Sequence, residues 1–199
     1  MSSEDPADAE LAEVVADGLN MRGFTVYEPA SDKRFLKIIN THGVLADVLI
    51  APDGTVNWEY RPFAGSPHGP DLIAAIVLAI LDAPASAAVR SPVAQQTSTT
   101  LKELLDRTAA DHGLSVTVIV YERDETSPEN AYSETRISNP ARPERGEVLA
   151  ADDGGIWWTC RLHDPSTDEH GIEAAELAST IARALTLPST TGTAPPAAA

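Results

Sequence analysis

Apolar positions follow two periods along this chain, and the switches between them mark its elements. Leu11, Val14, Val15 and Leu19 recur at helical spacing, opened by Asp5-Pro6 and ended by Gly23. Strand patterns follow at Phe24–Tyr27, Arg34–Ile39, Val44–Ile50 and Thr55–Arg61. Pro52-Asp53-Gly54 joins the last two as a hairpin, with both Asp53 and Gly54 suited to the positive φ of a tight turn. Pro70-Asp71 opens a second helix whose Leu72, Ile73, Ile76, Val77, Ile80 and Leu81 are apolar almost all round. Such a helix needs cover on more than one side. The other half of the chain or another subunit must supply that cover at a seam.

The same succession then returns. Thr100-Leu101-Lys102-Glu103 is a capping box, Leu101, Leu104, Leu105 and Ala109 mark a helical face, and Gly113 ends it. Strands are predicted at Val116–Tyr121, Tyr132–Ile137, Glu147–Ala150 and Ile156–Arg161, with the turn Asp152-Asp153-Gly154 before the last. An amphipathic helix over Glu173–Leu185 carries Glu176 and Arg183 on its wet side. Residues match in blocks: Leu11 to Val26 with Leu101 to Val116 at a shift of 90, Asp53 to Arg61 with Asp153 to Arg161 at 100, and Asp71 to Ile80 with Glu176 to Leu185 at 105. The shift grows only between blocks, so the added residues fall in loops. The expected fold is α+β: a tandem duplication of an α-β-β-β-β-α unit, each a four-stranded antiparallel meander packed by two helices, related by a pseudo-twofold. The expected boundaries are 4–83 for the first repeat, 84–98 for an Ala/Ser/Pro/Gln-rich linker, 99–187 for the second repeat and 188–199 for a disordered tail.

Charge alters this picture more than composition does. The chain has 199 residues, 30 acidic and 14 basic, for a net charge of −16. The excess divides evenly, with 13 acidic and 5 basic residues over 1–86 and 17 and 9 over 87–199. It therefore solubilises both halves, or offers an acidic face to a basic partner or a nucleic-acid mimic. With only Lys33, Lys37 and Lys102 as lysines, direct binding to a nucleic-acid backbone is disfavoured. The N-terminus is acidic and lacks the apolar core of a secretion signal. The longest apolar run, Leu72–Leu81, rises only about 15 Å as a helix, half a bilayer. The single cysteine, Cys160, fits a reducing compartment.

Candidate chemistry is sparse. Period two places Val56, Trp58 and Tyr60, and likewise Ile156, Trp158 and Cys160, on one face. Packing under the helices is the simpler reading of that face, and a ligand groove the sharper one. Asn57, Glu59, Arg61, Trp157, Thr159 and Arg161 fall on the other face and form the candidate binding site. Trp157 leads, because its neighbour Trp158 takes the core position. Arg61 and Arg161 suit either cross-strand salt bridges or the grip of carboxylates or phosphates. Cys160 and His163 form a conceivable Cys/His pair, although the match of Cys160 to Tyr60 favours packing. His42, His68, His112, His163 and His170 lack ligand spacing, so no metal or other cofactor is expected. No phosphate loop, dinucleotide fingerprint, nucleophile elbow or HExxH is present, so no catalytic residue is assigned.

The segments from Asp53 to Pro62, Ile137 to Pro140 and Asp152 to Trp157 resemble uncharacterised acidic proteins of high-GC actinobacteria such as streptomycetes. The resemblance implies a cytoplasmic bacterial protein, carries no known activity and transfers no functional residue. The expected function is non-enzymatic: an acidic binding or regulatory protein that engages a protein partner, antitoxin-, immunity- or chaperone-like, and that could form a homodimer. The alternatives are a small-molecule sensor using the cleft between the repeats and an enzyme with an unrecognised site.

Overall fold

A computed structural model describes residues 6–29, 32, 34–40, 43–61, 70–83, 100–121, 132–151, 154–163 and 171–186. The expected linker and tail lie outside these, as do Asp5, Asp152, Asp153, His42, His68 and His170. The described chain runs α1 (Pro6–Asn20), β1 (Thr25–Tyr27), β2 (Phe35–Asn40), β3 (Gly43–Ile50), β4 (Thr55–Tyr60), α2 (Pro70–Ile80), α3 (Leu101–His112), β5 (Ser115–Tyr121), β6 (Tyr132–Ser138), β7 (Glu147–Ala151), β8 (Ile156–Arg161) and α4 (Ala174–Leu185). A 3-10 turn, Pro143–Arg145, precedes β7.

The expected meanders are present, but they share one sheet. Its order is β1-β2-β3-β4-β8-β7-β6-β5, and every neighbouring pair is antiparallel. The two last strands of the meanders, β4 and β8, meet in the middle, with Trp58 directly opposite Trp158. Leu36, Val48, Trp58, Trp158, Val148 and Ile137 form one row across six strands, and all are buried. The row beside it includes Ala46, Tyr60 and Ile156, also buried. All four helices cover this face. Burying large aromatic side chains here supplies the main driving force for joining the halves.

The helices interlock across the centre. α1 packs on α4, and α2 packs on both α3 and α4. The apolar circumference of α2 is thus covered by the sheet and by helices of the other half, as the seam argument required. Small residues let α1 approach α4 closely: a Cβ added at Gly18 would lie 2.8 Å from the Cβ of Ala178. The buried stripe of α1 is Ala12, Val15, Ala16 and Leu19, whereas Val14, expected on that stripe, faces solvent. Its place is taken by alanines, which permit the tight crossing.

Local signals set the element ends. Thr100 accepts from the Glu103 N–H at 3.3 Å and Glu103 caps the Thr100 N–H at 3.1 Å, completing the capping box. Gly23 and Gly113 have φ of 87° and 69° and end α1 and α3 alike. In the β3–β4 turn only Gly54 takes positive φ (77°), not Asp53 as expected, because the Gly54 N–H closes on the Ala51 carbonyl at 2.9 Å. Asp53 instead accepts from the Thr55 N–H at 3.0 Å. No described helix is long and apolar enough to cross a membrane.

Candidate functional site

The other face of the sheet carries no described helix. Lys37, Asp47, Glu59, Trp157, Leu149 and Arg136 form a row across it, each opposite the next in the strand register. A hollow of about 490 Å³ opens at the centre, with Phe35, Leu49, Leu149 and Trp157 as its apolar lining and Asp47, Glu59 and Glu134 as carboxylates. Among the described residues no lysine or arginine lines it. A second hollow, about 340 Å³, adjoins it and shares Asp47 and Glu59. Leu49 is one of the few large apolar side chains left exposed, at 37%.

All six candidate residues lie on this face, and four of them meet at the β4–β8 seam. Glu59 pairs in register with Trp157, and Asn57 with Thr159. The Thr159 hydroxyl lies 3.1 Å from the Asn57 side-chain oxygen and donates to it. Trp157 is half-buried while Trp158 is fully buried, which is the outcome period two required for consecutive residues. Arg61 and Arg161 lie at the ends of their strands; Arg61 lines the second hollow, and Arg161 is among the lining of neither. Among the described residues Arg61 does not make the expected cross-strand bridge, whereas Arg161 reaches across to the turn before β4. Arg61 pairs along its own strand with Glu59, and Arg161 lies 3.8 Å from Asp53 in the neighbouring turn. Strand residues two apart share a face, and β8 carries no carboxylate, so Glu59 is the acid within reach of Arg61. At the rim, Lys37 holds Asp47 at 3.2 Å and lies over the Phe35 ring at 4.7 Å.

Cys160 is not a nucleophile. Burial pushes its thiol up to about 12, a rise that the Arg145 charge only partly offsets, and its side chain is shut from water. His163 lies 3.9 Å from Glu173 rather than against the thiol. Among the described residues no group of three or more His, Cys, Asp or Glu side chains is placed to hold a metal.

The second half contains a polar cluster that the sequence reading missed. The β6–β7 connection folds back so that Arg145 is buried, 3% exposed, against α4. It donates to the Thr180 hydroxyl at 2.7 Å and to Glu176. Arg142 bridges Glu144 and Asp82, the latter at 2.6 Å, and Arg183 lies 3.4 Å from Asp82. Asp82 follows α2 in the left-handed region, φ 49°. Asn139 is buried and donates to the Leu81 carbonyl at 2.9 Å. The cluster therefore ties the end of α2, from the first half, to α4 of the second. Glu176 and Arg183, expected on the wet side of α4, do remain partly exposed there, and both join this cluster. The sequence signal was the extra length between β6 and β7, filled with Arg142, Glu144 and Arg145 where β2 and β3 are joined by two residues. Compared with protein-family models, with curated proteins and with solved structures, the chain matches none.

Proposed function

We propose that this chain is a non-enzymatic binding or regulatory protein that holds a basic, partly apolar segment of a protein partner against the helix-free face of its sheet. Trp157 carries the reading. A tryptophan half-exposed at the centre of a sheet face, beside Leu49 and Leu149, is a typical anchor for a partner. Carboxylates at the hollow and the net charge of −16 favour a cationic segment, which they attract at long range. Surface pairs such as Lys37–Asp47 stabilise by only about 0–1 kcal/mol, so a partner's cations can replace them. The opposite face is packed by Trp58 and Trp158, so the platform is rigid before binding. A small molecule would fit the volume, since ligand pockets span about 300–1,000 Å³. The hollow is shallow, however, and would leave such a ligand largely in water; an extended protein segment covers it better.

We further infer a tandem duplication, in which one chain supplies what two identical subunits would. Supporting it, Val48 opposes Trp58 as Val148 opposes Trp158, and the turn hydrogen bonds at Ala51 and Gly54 repeat at Ala151 and Gly154. The cytoplasm of a bacterium remains the proposed setting, with antitoxin-, immunity- and chaperone-like roles as the classes of partner binding. The test is affinity capture from the natural host with the wild-type chain and with Trp157→Ala as paired baits. A partner retained by the wild type should bind the variant about thirtyfold more weakly, the equivalent of about 2 kcal/mol. It should also be released by salt. Equal affinity for both baits would end the assignment of Trp157.

A further inference from the structure

The two edges of the sheet are built differently. β1 is three residues long, Pro29 follows it closely, and its neighbour β2 is out of regular register between Ile38 and Ile39. Short edges, prolines and bulges keep foreign strands away. β5 has none of these. It runs seven residues as Ser-Val-Thr-Val-Ile-Val-Tyr, without charge, proline or glycine, in unbroken register with β6. No described strand pairs with its outer side, so its outward N–H and C=O groups form a straight template.

We propose that β5 is a homodimerisation edge, pairing antiparallel with β5 of a second copy about a twofold axis at Val118. Val118 then faces its own counterpart, Val116 falls opposite Val120, Thr117 opposite Ile119, and Ser115 opposite Tyr121. No like charges meet, and β-branched residues oppose each other, Val118 with its own counterpart and Thr117 with Ile119, which favours pairing. The strand is self-complementary, as a twofold interface requires. The chain already makes an edge-to-edge antiparallel joint of this kind at β4–β8.

The charge of −16 on each copy does not forbid it. Eight strands at about 4.8 Å make the sheet about 38 Å wide, which sets the distance between the two centres. That is several Debye lengths at physiological salt, where the length is about 8 Å, but close to one at about 0.01 M, where it is about 30 Å. Self-association should therefore strengthen as salt is added, the reverse of capture of a basic partner by the Trp157 hollow. Trp157 sits on β8, three strands from this edge, so the two proposals fail independently.

The experiment is sedimentation of the full chain over a concentration series at low and physiological salt. The wild type should shift from 21.1 kDa toward twice that mass as protein or salt rises. Thr117→Lys combined with Ile119→Lys should sediment as a monomer, although it lowers the net negative charge. Thr117→Glu combined with Ile119→Glu should do the same. An equimolar mixture of the two should recover the dimer, because opposite charges then face across the joint. Hydrogen exchange of the wild type gives a readout free of substitutions: β5 amides should become more protected as protein concentration rises. A wild type that stays monomeric at physiological salt, a dimer that persists in both variants, or β5 protection independent of concentration would each overturn the proposal.

Discussion

Trp58 and Trp158 face each other across the centre of the sheet, equally buried, yet their indole nitrogens differ. The Trp158 Nε1–H donates to the Arg145 carbonyl at 2.5 Å. The Trp58 Nε1–H is buried with no acceptor among the described residues, while its ring stacks on Tyr60 at 5.9 Å between centroids. The difference comes from one connection. Between β6 and β7 the chain folds back over β8, with Gly146 at φ 67° so close that an added Cβ would lie 2.0 Å from the Thr159 carbonyl oxygen. Between β2 and β3 only residues 41 and 42 intervene. The central strand residues Val56 and Trp58 thus have the same burial as Ile156 and Trp158, while polar satisfaction depends on the longer β6–β7 connection.

The largest test of that comparison removes each ring. Trp58→Ala and Trp158→Ala should each cost about 3–5 kcal/mol in chemical denaturation, with Trp158→Ala the worse because it also orphans the Arg145 carbonyl. Comparable stability of either variant to the wild type would deny these residues a core role. Next, Gly146→Ala should cost about 3 kcal/mol, since the obstacle is β8 backbone and the φ is positive. It should also displace the Arg145 carbonyl and make Trp158 resemble Trp58.

A finer test keeps the rings. Trp158→Phe should destabilise by about 1–3 kcal/mol more than Trp58→Phe, because only the former breaks a buried hydrogen bond. In the Gly146→Ala background that excess should vanish, a coupling readable from a double-mutant cycle. Equal costs of the two phenylalanine variants would mean that the Trp58 indole has found a partner of its own.

The smallest effect is on pH. Burial raises the Glu144 carboxyl, but the hydrogen bond from Arg142, the backbone amide and the charges of Arg142 and Arg145 outweigh it and hold the group below its ordinary 4.5. A carboxylate whose folded value is depressed contributes stability that is present above the unfolded value and is lost as pH falls through the folded one. The wild type should therefore lose stability below pH 4.5 more steeply than Glu144→Gln, in thermal melts across that range. Parallel acid limbs would show that the cluster, which has no counterpart among the described residues of the first half, is electrostatically idle.

Much of the fold was legible because burial imposes periods. The strand Val56–Tyr60 and its counterpart Ile156–Cys160 could be assigned inward and outward faces from alternation alone, and Trp157 followed as the outward aromatic. The helix caps at Thr100 and the glycine stops at Gly23 and Gly113 are local chemistry, readable over a few residues. Arg61 and Arg161 were placed on the right face, but Arg61 pairs with Glu59 of its own strand rather than across the seam, because register between β4 and β8 is not written in either strand. Val14 was misplaced because alanines can form a helix stripe when two helices cross closely.

Which residues avoid water and where the chain must turn follow from side-chain size, polarity and φ over short spans. The pairing of β4 with β8, the crossing of α1 and α2 to the other half, and the burial of Arg145 beside Glu176 and Thr180 do not. Those outcomes depend on contacts between residues far apart in the chain. A charged side chain reads as solvated until the fold supplies the partners that let it leave water.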